Sequence, residues 1–127
     1  MAKVYLAIPG APDRLLGHVH ETGEISRSRV GIDDHIGQVD LSSGKITSDR
    51  FGPDKKIGHV DLDSGKVYLT KVGIDEYIGR VDDDGRIYRH VPMGSDDYIG
   101  KVDHFISYAH SAGAMLLLVL PALEADE

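Results

Sequence analysis

The chain has no cysteine, which excludes disulfides, thiolate metal centres and a cysteine nucleophile. It also lacks a basic excess: 14 Lys plus Arg stand against 21 Asp plus Glu, for a net charge of −7. A nucleic-acid footprint needs a basic face, so nucleic acid is not an expected partner. The acidity favours solubility and says little more about partners. The opening apolar run is too short for a signal peptide, and a cytoplasmic location is the default expectation. There is no Gly-x-Ser-x-Gly nucleophile elbow and no glycine-rich phosphate loop. No enzyme activity and no cofactor is expected. With 127 residues, 41% of them hydrophobic, the chain can bury one modest core.

What is present is a repeat. The phrase Ile-Gly-x-Val-Asp occurs at 36–40, 57–61, 78–82 and 99–103, and in worn form as Leu16-Gly17-His18-Val19-His20. Its glycines stand at 17, 37, 58, 79 and 100, in steps of 20, 21, 21 and 21. Such a period marks an array of one supersecondary unit. Each unit reads as a β-hairpin: a first strand around Ile-Gly-x-Val, a turn ending in Gly23, Gly44, Gly65 or Gly85, and a second strand rich in Val, Ile and Tyr. The corners between units carry Gly31, Gly52, Gly73 and Gly94, each 21 residues from the next. Turn glycines supply a positive φ without steric cost.

The chain opens on a lone second strand, Lys3-Val4-Tyr5-Leu6, and the repeat stops on a lone first strand over 98–103. Together these make a fifth hairpin. The expected fold is all-β: five hairpin repeats of ~21 residues, about ten antiparallel strands, in a closed or nearly closed meander ring or barrel, plus a short apolar C-terminal helix. An even strand number lets the first and last strands pair antiparallel and removes both edges. The rival is an open array whose end strands pair with a neighbouring subunit.

The repeat domain covers 1–103, and 104–127 is an apolar segment with an acidic tail. From 112 to 120 every residue is apolar or glycine, and Met, Leu and Ala favour helix. Apolar on all sides means buried on all sides. The segment is expected to pack on or inside the sheet, or to form a subunit interface through Met115, Leu116, Leu118 and Val119. The strictly apolar stretch is too short to span a bilayer, so a membrane partner is not expected.

Candidate sites follow from residue type. Asp61, Asp63, Asp82 and Asp84 lie in acidic hairpin loops that could supply oxygen ligands to a divalent cation. Asp82-Asp83-Asp84-Gly85 begins like a calcium loop, but Pro92 stands where its bidentate acid belongs. His18 and His20, two apart on one strand face, could begin a metal site. The x position of Ile-Gly-x-Val holds His18, Gln38, His59, Arg80 and Lys101, which reads as a tolerant polar surface slot. The strand glycines Gly37, Gly58, Gly79 and Gly100 are structural: each suggests a bulge or a close approach, with a nearby tyrosine ring as a plausible cover.

The hairpin-per-repeat plan, with Tyr and Gly in each unit, resembles MORN repeats. Those carry a denser glycine pattern than Tyr77-Ile78-Gly79-Arg80-Val81-Asp82, and no function is carried over from them. The expected function is a non-catalytic structural or protein-interaction module that self-associates or docks on another protein. The alternative is a protein binding a small ligand in the barrel lumen or a divalent cation at the acidic loops.

Overall fold

The computed structural model describes residues 1–29, 31–49 and 55–125. Ten strands form a closed antiparallel barrel: β1 (Ala2–Leu6), β2 (Arg14–Val19), β3 (Glu24–Arg29), β4 (Ile32–Val39), β5 (Lys45–Ser48), β6 (Lys55–Val60), β7 (Lys66–Lys71), β8 (Ile74–Val81), β9 (Arg86–Arg89) and β10 (Asp97–Val102). Each strand pairs with its chain neighbours, and β1 closes the ring against β10 through Val4↔Val102, Tyr5↔Lys101 and Leu6↔Gly100. The closed meander and its fifth, split hairpin are therefore present within one chain.

The hairpin turns repeat one device. Gly23, Gly44, Gly65 and Gly85 take φ of 96°, 81°, 80° and 89°. Their carbonyls accept the amides of Val39, Val60, Val81 and Val102 in the following unit, at 2.8–3.0 Å. One glycine thus turns its own hairpin and bonds it to the next. The corner at Gly52 lies outside the described residues.

The core is the barrel interior. Each unit sends in the Val of Ile-Gly-x-Val and one residue of the neighbouring second strand: Val19, Val39, Val60, Val81 and Val102 with Val4, Ile25, Ile46, Val67 and Ile87. The C-terminal segment runs through this lumen as one helical stretch, α1 (Tyr108–Ala114), a π-helical turn (Met115–Val119) and α2 (Leu120–Ala125). It enters at the hairpin end, where Ser107 caps it by accepting the His110 amide, and leaves at the corner end. Tyr108–Ala125 is long and apolar enough to cross a membrane by length and composition, and its central residues are enclosed by the strands.

Candidate functional site

Two layers explain why the helix fits. In the first, the wide ring of Val and Ile surrounds small helix residues, Ala109, Ala112, Gly113 and Ala114; a Cβ on Gly113 would lie 2.5 Å from Ile25 Cδ1. In the second, the relation inverts. The strand glycines face large residues of the π turn: Gly79 meets Met115, Gly58 Leu116, Gly37 Leu117, Gly17 Leu118 and Gly100 Val119, with Cβ positions 2.5–3.1 Å from those side chains. Five consecutive residues meet five consecutive units around the barrel. An α-helix turns about 100° per residue, too far to match five units in one circuit. The wider π turn, in which Leu120 donates to the Met115 carbonyl, brings the two periods together.

Each strand glycine also sits beside a bulge. The register slips past Leu16, Ile36, Ile57, Ile78 and Ile99, the residue before each glycine. A Cβ at Gly58, Gly79 or Gly100 would fall on the carbonyl oxygen of Tyr68, Tyr88 or Tyr5. The close approach expected from a tyrosine ring is thus made by tyrosine backbone and by the helix.

This arrangement corrects the interface expectation. Met115, Leu116, Leu118 and Val119 are 0–5% exposed inside their own barrel and present no surface to a second chain. It also removes the lumen as a ligand chamber, because the helix fills it.

The candidate cation residues are not brought together. Asp61 Oδ1 accepts the Asp63 amide at 2.9 Å, and Asp84 Oδ1 accepts the Arg86 amide at 3.0 Å, as turn-stabilising Asx contacts do. The Asp63 amide, helped by Ser64, holds the Asp61 carboxyl below its usual range. Asp82 is bound by the Arg80 guanidinium. His18 and His20 face different partners: His18 Nδ1 lies 3.4 Å from Ser28 Oγ, and His20 Nε2 3.3 Å from Ser26 Oγ. Among the described residues, no group of three or more His, Asp or Glu is placed to hold a metal. Ser28 and Asp33 both approach the same nitrogen of His18, the latter at 3.6 Å. A nucleophile–base–carboxylate relay needs opposite ring nitrogens, so this cluster cannot run one.

The x slot has an order that its sequence variety hid. His18 pairs with Asp33, His59 with Asp75, Arg80 with Asp96 and Lys101 with Asp13, at 2.9–3.6 Å. Each acid belongs to a corner, and Lys101–Asp13 carries the series across the β10–β1 seam. The matching acid for Gln38, Asp54, lies outside the described residues. Three of these side chains also rest on the tyrosine opposite them: His59 stacks on Tyr68 at 4.7 Å, Arg80 lies 4.2 Å over Tyr88 and Lys101 5.7 Å over Tyr5.

The corner end differs from the rest of the surface. Ile32 is 62% exposed, Val72 104%, Ile74 70% and Met93 107%. Val72 and Met93 have positive φ, 20° and 62°, although neither is glycine. At this end, where α2 emerges between β2 and β3, a cavity of about 390 Å³ opens. Sequence reasoning missed both features. The signal for the first was an apolar residue before each corner glycine, at Val30, Phe51, Val72 and Met93.

No family model, curated protein or solved structure matches this chain.

Proposed function

We propose that the protein is a non-catalytic interaction module that self-associates through the corner end of its barrel. The observation that carries this reading is the set of exposed apolar tips at Ile32, Val72, Ile74 and Met93, standing on three connections at one end. Single exposed apolar residues need no explanation, whereas a set gathered at one end marks a contact surface. Val72 and Met93 stand on backbone that costs energy for a non-glycine residue, which is the kind of strain retained at working surfaces. Charges behind the tips come in pairs, such as Arg29–Asp34 and Lys71–Glu76, so two like ends can approach without net repulsion. The alternative, a lumen ligand or a loop-bound cation, has less support: the helix occupies the lumen and the loop carboxylates serve their own turns.

Sedimentation equilibrium of the full chain tests the reading. Wild type should show a concentration-dependent dimer, and Val72→Asp combined with Met93→Asp should be monomeric throughout. Aspartate tolerates left-handed backbone better than valine, so the variant should keep its fold. A monomeric wild type, or a dimer unaffected by the two substitutions, contradicts the proposal.

A further inference from the structure

We infer that Met93 is a modification site for a peroxide-class oxidant, and that its sulfoxide switches self-association off. The inference rests on the self-associating reading above, because its effect is exerted at that contact. The chain has three methionines, Met1, Met93 and Met115. Met115 is buried in the lumen with its Cε packed on Gly79. Met1 is exposed at the hairpin end, where its ammonium pairs with Glu21 at 3.1 Å. Of the three, Met93 alone stands among the apolar tips of the corner end, and it is fully exposed.

The backbone at Met93 favours another residue. The Gly94 amide donates to the Val91 carbonyl at 3.1 Å and closes the turn Val91-Pro92-Met93-Gly94. Pro92 has its favoured place at the first central position, and Met93 takes the second at φ 62°, where glycine or asparagine is preferred. A flexible, polarizable thioether held there against that preference stands outermost on the contact surface. Oxidation turns that apolar side chain polar. The peroxide O–O bond breaks, one oxygen forms a bond to the sulfur, and the other leaves as water. Sulfur is thereby oxidised and the peroxide reduced. A sulfoxide oxygen enclosed in an apolar contact loses its water, so oxidised Met93 favours the monomer. The converse holds as well: the dimer covers Met93, so oxidant reaches it in the monomer.

Hydrogen peroxide on the full chain tests the site, read by peptide mapping and sedimentation equilibrium. Met93 should gain one oxygen atom while Met115 gains none in the folded protein. Oxidation of Met93 should slow as protein concentration rises through the dimer range, and oxidation of Met1 should not. The treated protein should dimerise more weakly by about tenfold or more. Methionine sulfoxide reductases for both sulfoxide epimers should then restore the untreated affinity. In Met93→Leu, checked for folding by circular dichroism, peroxide should leave the dimer affinity where it stood before treatment. Undiminished dimerisation after full oxidation of Met93 overturns this inference alone. So does an equal loss in Met93→Leu, which assigns the effect to another residue, or a Met93 oxidation rate indifferent to concentration. An untreated wild type that stays monomeric overturns the self-association reading first, and this inference with it.

Discussion

The two ends of the barrel are made from the same repeat and treated oppositely. At the hairpin end, each turn glycine bonds the next unit and aspartates tie down turn amides, and a cavity of about 290 Å³ lies beside the helix entry, between Met1, Glu21, His104 and Ile106. His110 ties the helix start to the β2–β3 turn: its Nε2–H donates to the Glu21 carbonyl at 2.9 Å while Nδ1 meets Ser107 Oγ at 2.6 Å. At the corner end, no added atom would meet anything within 4 Å of Gly10, Gly31 or Gly73, apolar tips face outward, and the helix leaves beside an open cavity. The hairpin-end glycines are packed against the next unit, whereas these corner glycines meet open space; the corner acids are nonetheless paired, as Asp33, Asp75, Asp96 and Asp13 show.

The largest expected effect comes from removing what both ends share. Truncation after Ile106 empties the lumen of Met115, Leu116, Leu117, Leu118 and Val119, all 0–5% exposed. Deleting one such side chain costs about 2–5 kcal/mol, and a whole domain holds only about 5–15 kcal/mol. The truncated barrel should be unfolded by circular dichroism, hairpin end included. A folded truncated barrel would break the comparison, because both ends would then stand without the helix.

Next come the glycines. Gly79→Ala places a Cβ on the Tyr88 carbonyl and 2.7 Å from Met115 Cε, and should cost about 3 kcal/mol or more. At the corner, Gly73→Ala meets open space and should cost only about 1–2 kcal/mol for its φ of 80°. Urea midpoints measure the difference, and equal midpoints would erase the distinction between packed and open glycines.

Smaller, and opposite in sign, is Val72→Asn. It should raise stability by about 1 kcal/mol by relieving backbone strain at φ 20°, while weakening dimer formation in the same sample. A loss of stability would mean that the exposed tip supports the fold rather than a contact.

The smallest effect is electrostatic. The Arg29 hydrogen bond holds the Asp34 carboxyl below its usual range, and the Thr70 hydroxyl, aided by Lys56 and His59, does so for Asp75. Acids with depressed folded-state values stabilise the fold above the unfolded value of about 3.9 and lose that contribution as pH falls through the folded values. Asp34→Asn with Asp75→Asn should therefore give a shallower fall in urea midpoint between about pH 5 and about pH 2 than wild type. An identical fall would assign the acid response to the hairpin-end aspartates, whose carboxyls are lowered by turn contacts.

Much of the barrel was legible because the repeat is written twice, in Ile-Gly-x-Val and in the turn glycines, and because Lys3-Val4-Tyr5-Leu6 and 98–103 are visibly two halves of one unit. The strand glycines announced a bulge or a close approach. They did not say which element approaches, because a missing side chain carries no sign of its partner. The helix position was open for the same reason: an all-apolar segment suits any buried setting. A clue lay in number, since five large residues, Met115 to Val119, match five units. The pairings of the x slot with corner acids were hidden by variety of residue type, though Asp13, Asp33, Asp54, Asp75 and Asp96 recur with the slot's own period.

The central claim is that the π turn fills the lumen with one residue per repeat. Proton–proton nuclear Overhauser contacts between side-chain methyls and glycine Hα atoms read it directly. The Met115 methyl should contact Gly79, Leu116 should contact Gly58, Leu117 Gly37, Leu118 Gly17 and Val119 Gly100, each in the intact monomer. Methyl groups with no glycine contacts, or contacts that appear only on dimerisation, would contradict it.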